Sequence, residues 1–361
     1  MSTLEQALVR RIRLAGPLTV ADYMAEVLQH PTHGYYRQGD PLGAAGDFIT
    51  APEISQMFGE LIGLWCVDQW TRLGEPPLVR LVELGPGRGS LLADALRAAR
   101  LRPGLLAALR LHLVESSPAL RARQAEVLGP LLPVAPEWHD GFAEVPADGV
   151  LLLIANEFFD ALPVHQFVRR AGAWHERMVT VDESDHLAFA LGPPSAALAL
   201  LSPDRRAPPE GGLIEICPAG LGLAAAIARR IVAGGGAALI IDYGDGGVAG
   251  DSLQAVSRHA SHPPLADPGS ADLTAHVDFA ALAGAASAAG AAVYGPVAQG
   301  DFLRCIGIAA RAATLAERAS PAQRAAIDAA RQRLCDPREM GTLFKAMAIV
   351  GVGAPAPPGF A

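Results

Sequence analysis

Charged and aromatic residues are scarce in this sequence of 361 residues. Only 18% of the residues are charged and 6% are aromatic, whereas 51% are hydrophobic. Such a composition can bury a large core, and it excludes an intrinsically disordered chain. Lysine is almost absent, since Lys345 is the only one. With a net charge of −8, the chain lacks the basic surface that binding to many phosphates requires, so we expect no nucleic-acid partner.

Metal-binding spacings and long apolar runs are missing as well. The four cysteines stand far apart and form no C-x-x-C pair, so the sequence predicts neither a zinc site nor a disulfide framework. The histidines show no H-E-x-x-H spacing, and we expect no metal. The most apolar stretch, residues 220–241, is interrupted by Arg229 and Arg230, and the first residues lack the apolar core of a secretory signal. We therefore expect a cytoplasmic protein without a membrane span.

Short apolar runs alternate with amphipathic segments from residue 79 onward. The sequence predicts buried strands over 79–84, 111–115, 150–155 and 237–242. Strands that alternate with helices are typical of a parallel sheet with helical crossovers, so the fold class is α/β.

Three further features complete the prediction of secondary structure. Ser117 is expected to cap a helix over 118–128, and a weaker strand is expected near Val134. Residues 164–191 alternate polar and apolar side chains, which predicts an antiparallel hairpin or meander. The proline-rich tail 354–359 is expected to fray.

Residues 83–89, with the sequence E-L-G-P-G-R-G, follow a predicted strand and precede a predicted helix. Glycines at such a turn let the backbone approach a ligand closely. A dinucleotide site requires G-x-G-x-x-G/A, but here Ser90 stands at the third position and Gly89 comes one residue early. The spacing E-x-G-x-G-x-G is typical of sites for S-adenosylmethionine (SAM), whose ammonium and sulfonium suit a carboxylate such as Glu83. From these residues alone, a SAM-dependent methyltransferase, a dinucleotide enzyme and a plain tight turn remain open.

Polar residues follow three other predicted strands. Glu115 ends the second strand, where a carboxylate can accept hydrogen bonds from both ribose hydroxyls. The alternative is that Glu115 is simply an exposed carboxylate at a strand end. Asp140 follows the third strand position and can accept a bond from an adenine amino group, or is an ordinary loop residue. Asn156, Glu157 and Asp160 follow the strand 150–155, at the edge where open α/β sheets place ligands, although a helix N-terminus also favours acids.

Nine segments spread over nearly the whole chain resemble the MidA-type SAM-dependent methyltransferases. They are HPTHGYY (30–36), GAAGDFITAPEISQMFGELIGLW (43–65), VELGPGRGSLLADALRA (82–98), HLVESSP (112–118), IANEFFDALPVHQF (154–167), ALIIDYG (238–244), ADPGSADLTAHVDF (266–279), QGDFL (299–303) and EMGTLFKAM (339–347). The combination of GDFITAPEISQ with NEFFDALP is highly specific for this family.

The resemblance implies a Rossmann-like, seven-stranded class I methyltransferase sheet and S-adenosyl-L-methionine as the methyl donor. It also implies a division of the chain, with a helical N-terminal cover over residues 1–75 and an inserted substrate-side region over 164–236. The methyltransferase core then comprises residues 76–163 and 237–361.

The resemblance also implies roles for residues around the donor. The side that packs against the methionine end of SAM comprises Gly85, Pro86, Gly87 and Gly89. Glu115 is expected to hold the ribose and Asp140 to lie near the adenine. The residues expected to close over the site are Asp47, Phe48, Thr50, Glu53 and Gln56.

The MidA-type group includes a mitochondrial complex I assembly factor that methylates an arginine of a complex I subunit. By this resemblance we expect a protein-arginine N-methyltransferase, whose partner is a protein with a target arginine, such as a subunit of a respiratory NADH dehydrogenase. Glu157 and Asp160 are expected to grip the guanidinium, with Asn156 and Asp47 beside them. A SAM-dependent enzyme with a small-molecule acceptor, a non-catalytic assembly chaperone and a dinucleotide oxidoreductase are the alternatives.

Overall fold

The computed structural model describes residues 2–37, 50–196, 208–246, 250–257 and 259–360. Packing divides the chain into two compact units. The smaller unit comprises residues 1–48, 160–220 and 247–278, and the larger unit comprises 49–159, 221–246 and 279–361.

The elements are numbered in chain order. The strands are β1 (Leu18–Thr19), β2 (Val79–Leu84), β3 (Leu109–Val114), β4 (Glu137–His139), β5 (Val150–Asn156), β6 (His165–Arg170), β7 (Ala173–Val181), β8 (Leu187–Pro194), β9 (Leu213–Ile216), β10 (Gly236–Asp245), β11 (Gln254–Ser257), β12 (Ala260–His262), β13 (Asp272–Thr274), β14 (Val277–Asp278), β15 (Ala292–Ala298) and β16 (Phe344–Val350). The α-helices are α1 (Thr3–Ala15), α2 (Val20–Gln29), α3 (Ala51–Ile54), α4 (Gln56–Arg72), α5 (Ser90–Ala99), α6 (Pro103–Ala108), α7 (Pro118–Leu128), α8 (Pro218–Gly234), α9 (Phe279–Ala288), α10 (Gln299–Cys305), α11 (Ile308–Ala316), α12 (Pro321–Cys335) and α13 (Met340–Leu343).

Seven strands of the larger unit form a sheet in the order β15–β16–β10–β5–β2–β3–β4. The five strands from β10 to β4 run parallel to one another. The two central strands β5 and β10 are the most continuous apolar runs, as strands buried on both faces require. β16 runs antiparallel to both β10 and β15. The predicted α/β fold with a Rossmann-like methyltransferase sheet is confirmed.

Helices α4 and α5 pack very closely on one face of this sheet. Gly59 and Gly63 lie one turn apart on α4, and a β-carbon at Gly63 would lie only 2.6 Å from the Cα of Ala95 on α5. A β-carbon at Gly59 would lie 2.7 Å from the carbonyl oxygen of Leu91. The two glycines therefore permit a backbone approach that larger residues would prevent. Their packing fixes α5, whose first residue follows the glycine-rich turn.

The capping prediction is confirmed. The Ser117 hydroxyl accepts a hydrogen bond from the amide of Leu120, and α7 begins at Pro118 as expected. The weak strand expected near Val134 lies a few residues later, at β4. Pro133 and Pro136 explain the displacement, because proline donates no ladder hydrogen bond.

The prediction that the tail frays is wrong. The ring of Phe360 packs against Phe302, with 5.3 Å between the ring centroids. The carbonyl of Ala354 accepts a hydrogen bond from the Tyr294 hydroxyl at 2.8 Å. These contacts hold the tail on the larger unit. The free energy that they contribute offsets the chain entropy that is lost when the tail is ordered.

The smaller unit contains the antiparallel meander predicted for residues 164–191. β6 pairs with β7 and β7 with β8, while β9 and β1 extend the sheet. Ala171 and Gly172 connect β6 to β7 with φ angles of 51° and 77°, as a two-residue hairpin turn requires. A second sheet has the order β12–β11–β13. Within the ranges that the structure describes, no helix has the length and apolarity needed to cross a bilayer.

Candidate active site at the carboxyl edge of the parallel strands

The strand register of the larger unit brings the ends of four strands to one edge. The amides of Gly85, Glu115 and Glu157 each donate to a carbonyl of the neighbouring strand, at 3.0, 3.1 and 2.8 Å. Gly85 follows β2, Glu115 follows β3, and Glu157 follows β5. Strand order reverses at β2, which has β3 on one side and β5 on the other. Open α/β sheets bind ligands outside the carboxyl ends at such a reversal, so the predicted motifs lie at a candidate ligand site.

The glycine-rich turn after β2 adopts a conformation that favours glycine. Gly85, Gly87 and Gly89 have φ angles of 60°, 51° and 81°, which place all three in the left-handed region. The Gly89 amide donates to the carbonyl of Pro86 at 2.8 Å and closes the turn before α5. A β-carbon at Gly85 would lie 2.9 Å from the ring of Phe158. The turn is therefore shaped by both backbone geometry and close packing.

Glu83 is a buried carboxyl group beside this turn. Its residue is 3% exposed, and its Oε2 has no hydrogen-bond partner in the described part of the chain. Burial raises the pKa of Glu83 to about 8. A buried acceptor without a donor is costly, and a cationic ligand would satisfy it.

Glu83, Glu115 and Asn156 share one face of the sheet. Glu83 is the cross-strand neighbour of Leu113 and of Ile154, and the other two polar residues follow those neighbours by two positions. Asn156 is 8% exposed, and its Oδ1 also lacks a hydrogen-bond partner among the described residues. Two orphaned acceptors thus lie on one face at the point where strand order reverses.

A buried amide connects Glu115 to the glycine-rich turn. Gln124 of α7 is fully buried, and its Nε2 donates to the Gly87 carbonyl at 2.7 Å and to Glu115 at 3.4 Å. Its Oε1 accepts from the Trp138 indole at 2.8 Å. Glu115 also accepts from the Ser117 amide at 2.7 Å. Burial raises the pKa of Glu115, while these hydrogen bonds oppose that rise. Sequence reasoning missed Gln124, because its role depends on three segments that meet only in the fold.

Asp140 lies at the end of β4 and is exposed. Its side chain is 75% exposed and pairs with Arg121, whose Nε donates to the Glu115 carbonyl at 2.6 Å. The register therefore brings Asp140 next to Glu115, as the sequence predicts for two acids along one nucleoside. Its contact with adenine stays a prediction.

Glu157 adopts a left-handed backbone conformation at the end of β5, with a φ angle of 51°. Its Oε1 accepts hydrogen bonds from the Ala51 amide at 2.9 Å and from the Asn156 amide group at 3.1 Å. Asp242 of β10 accepts from the amides of Phe158 and Phe159, at 3.1 and 2.9 Å. Sequence reasoning assigned no role to Asp242, although an acid at the end of a buried strand is a usable signal.

The short helix α3 contacts the glycine-rich turn. Glu53 accepts a hydrogen bond from the Ser90 hydroxyl at 2.5 Å, and its other oxygen lies 3.9 Å from Arg88. Thr50 is the N-cap residue of α3 but makes no capping hydrogen bond through its side chain. Of the residues expected to close over the site, Glu53 is thus joined to the donor turn. Asp47 and Phe48 lie outside the described residues.

Asp160 belongs to the smaller unit, where it is 7% exposed. Its carbonyl accepts from the Ala275 amide at 3.0 Å. The negative charge of its carboxylate disfavours ionisation of Tyr36, whose hydroxyl donates a hydrogen bond to Asp272 at 3.0 Å. Burial and these two carboxylates raise the pKa of Tyr36 well above its usual range. The two halves of the predicted acceptor grip, Glu157 and Asp160, therefore fall in different units.

One group of residues has the spacing of a metal site. His112, Glu137 and His139 have ligand atoms within 4.8 Å of one another, because β3 and β4 are paired. Arg80 lies 3.1 Å from Nε2 of His112, and arginine only donates. Nδ1 of His112 then carries the proton and donates to His139 at 3.0 Å. Hydrogen bonding therefore accounts for this cluster without an ion, and the expectation of no metal stays a prediction.

The fold and the site together define a class of protein. The left-handed glycine turn, the acid after β3 and the sheet edge at which they lie are features that nucleoside-binding sites of the Rossmann type share. The buried acceptors Glu83 and Asn156 fit a ligand that carries positive charge better than they fit a pyrophosphate. These are features of an enzyme that binds SAM.

Comparisons with known proteins agree. A model of the family of S-adenosyl-L-methionine-dependent methyltransferases matches residues 61–297. The mouse protein arginine methyltransferase NDUFAF7, mitochondrial, is 40% identical over 95% of this chain and 83% of its own length. The fruit fly homologue of that protein is 38% identical over 96% of this chain and 84% of its own. A Burkholderia thailandensis protein whose crystal structure holds S-adenosylhomocysteine is 29% identical, with a TM-score of 0.84 over 99% of this chain and 93% of that one.

The chain belongs to the family of S-adenosyl-L-methionine-dependent methyltransferases, as its MidA-type motifs predict. SAM is its methyl donor. The residues that would hold the donor are those of the glycine turn with Glu83 and Glu115. When bound, SAM would supply a methyl group on a positively charged sulfur, so that the carbon–sulfur bond breaks as an electron pair of the acceptor bonds to the methyl carbon.

Proposed function

We propose that the protein methylates an arginine side chain of a partner protein, such as a subunit of a respiratory NADH dehydrogenase, in the cytoplasm. The fixed carboxylate of Glu157 at the carboxyl end of β5 is the observation that carries this proposal. The names of the relatives support it, since the mouse and fruit fly proteins are both named protein arginine methyltransferases.

A guanidinium group is a demanding acceptor for methyl transfer. It is protonated in water at all ordinary pH values and its electron pairs are delocalised. A carboxylate holds such a group by charge-assisted, forked hydrogen bonds, and thereby orients one nitrogen toward the donor. In the transfer, a bond forms between this nitrogen and the methyl carbon as the carbon–sulfur bond of SAM breaks, S-adenosylhomocysteine leaves, and the attacked nitrogen releases one proton. Because the reaction is an in-line displacement, correct placement of the two reactants contributes strongly to the rate enhancement.

Glu157 suits this role chemically. Its backbone is bonded to β10, and one carboxylate oxygen is held by two N–H donors, so the group has little freedom to turn. The overall charge of −8 favours the approach of a cationic segment.

The decisive experiment identifies the methylated residue. Lysate from a strain that lacks this protein is incubated with the purified enzyme and isotopically labelled SAM, and mass spectrometry locates the label. The expected result is a labelled arginine on one protein of a respiratory complex. Label on a metabolite would contradict the proposal and indicate a small-molecule acceptor.

Two variants separate an enzyme from an assembly chaperone. Glu157→Gln should lower the rate of methylation by about 100-fold or more while SAM still binds, and Asp160→Asn tests whether the second predicted acid shares this role. Glu137→Gln is the matched control, because Glu137 is a half-exposed carboxylate on β4. If the Glu157→Gln, Asp160→Asn double variant assembled the partner complex normally without methylating it, the chaperone alternative would replace this proposal. Fractionation of cells tests the proposed cytoplasmic location.

A further inference from the structure

A second carboxylate, Asp242, lies behind the proposed acceptor site. Asp242 is fully buried on β10, directly after Ile241, the cross-strand neighbour of Asn156. An ionised carboxylate without water is unfavourable unless several donors surround it. Here the amides of Phe158, Phe159 and Tyr243 donate to it, at 3.1, 2.9 and 2.9 Å.

These bonds hold a strained turn. Glu157 is not a glycine, yet its φ angle is 51°, and such a conformation persists only when the surroundings fix it. On one side, the Glu157 amide donates to the Ile241 carbonyl at 2.8 Å. On the other side, the next two amides donate to the same oxygen of Asp242. Two consecutive residues of β10 therefore anchor the turn both before and after Glu157.

The turn has two consequences for the site. It directs the Glu157 carboxylate to the Ala51 amide, and this hydrogen bond sets the position of the carboxylate that is proposed to hold the guanidinium. It also places the ring of Phe158 against Gly85, so closely that a β-carbon there would lie 2.9 Å from the ring. The donor turn and the acceptor carboxylate thus depend on one backbone segment, residues 156–159.

We propose that Asp242 is a positioning residue for methyl transfer, which holds the turn 156–159 so that Glu157 faces the acceptor and Phe158 supports the donor turn. The proposal rests on the acceptor role proposed for Glu157. In this role Asp242 acts through the backbone amides of Phe158 and Phe159 that it binds.

Asp242→Ala and Asp242→Asn test this role, with Glu60→Gln as the control. Glu60 is also a buried carboxylate of the larger unit, but it pairs with Arg311 on α11 at 2.7 and 2.8 Å. Loss of Glu60 should therefore lower stability without changing the turn. The measurements are kcat and acceptor KM for methyl transfer, the Kd for SAM, and the exchange rates of the Phe158 and Phe159 amides.

The Asp242→Ala variant should lose about 100-fold in kcat, as displacements near 1 Å do, whereas its Kd for SAM should change by less than about tenfold. Exchange at Phe158 and Phe159 should accelerate. Asp242→Asn keeps one oxygen for these two amides and should recover kcat to within about tenfold of the wild type. If the alanine variant does not fold, the asparagine variant carries the test, with a kcat loss of about three- to tenfold and faster exchange expected.

Three results would overturn the proposal. The first is an unchanged kcat in folded Asp242→Ala or, where that variant does not fold, in Asp242→Asn. The second is an equal kcat loss in Glu60→Gln. The third is an unchanged exchange rate at the amides of both Phe158 and Phe159. If the wild type methylated no arginine, the acceptor role of Glu157 would be wrong. The exchange measurement would still decide whether Asp242 holds the turn, so the two failures are distinguishable.

Discussion

Replacement of Glu83 by glutamine should change how stability depends on pH. Glu83 is 3% exposed, one of its oxygens has no hydrogen-bond partner among the described residues, and burial raises its pKa from 4.5 to about 8. The folded protein therefore keeps this proton up to about pH 8, whereas the unfolded chain releases it near pH 4.5. Unfolding releases a proton within this window, so the free energy of unfolding falls as the pH rises.

The size of the effect follows from the two pKa values. A rise from 4.5 to about 8 corresponds to about 5 kcal/mol in total at about 1.4 kcal/mol per pH unit, of which about 3 kcal/mol should be lost between pH 5 and pH 8. Glutamine has nearly the same shape and does not titrate. Relative to the wild type, Glu83→Gln should therefore gain about 3 kcal/mol of stability as the pH rises from 5 to 8.

Urea unfolding of the SAM-free protein at pH 5, 6, 7 and 8 measures this difference. Glu60→Gln serves as the control for the loss of a buried carboxylate. Parallel curves for Glu83→Gln and the wild type would refute the reasoning. If the donor ammonium lies beside Glu83, SAM binding to the wild type should also tighten from pH 6 to pH 8, and the variant should lose this trend.

Three other outcomes are expected. Gly85→Ala should weaken SAM binding at least about tenfold in calorimetry, because the added methyl group meets Phe158. Gly172→Ala is the control, since Gly172 also has a positive φ but no described atom close to the added methyl group, and it should lower the free energy of unfolding by only about 1 kcal/mol. Gln124→Leu leaves the Trp138 indole without its acceptor and should cost about 1–3 kcal/mol in urea unfolding. SAM at about 100 times its Kd should stabilise the protein by about 2.7 kcal/mol, and an unmoved melting curve would contradict SAM binding.

Local signals were sufficient for the elements that carry the donor site. β2, β5 and β10 are apolar runs bounded by polar or glycine residues, and the start of α7 is marked by Ser117 and a proline. Such features act within a few residues, so the sequence exposes them directly. The motif after β2 likewise identified the glycine turn, whose left-handed angles the structure confirms.

Other features depended on partners far away in the chain. β16 is a short apolar run near the end of the sequence, and only its pairing with β10 and β15 makes it a strand of the sheet. The proline-rich tail was expected to fray, but Phe360 finds a buried partner in Phe302. The domain boundaries and the roles of the site residues stay predictions.

The sequence by itself determined the α/β class, the buried parallel strands with the motifs that follow them, and the left-handed glycine turn after β2, because backbone preference and side-chain periodicity are local properties. Tertiary structure alone decided which polar groups meet at the sheet edge. The contacts of Gln124 with Gly87 and Trp138, and of Asp242 with the turn after β5, join segments that are separated by up to 84 positions in the chain. Such contacts arise only when strand pairing fixes the register and brings the strand ends together.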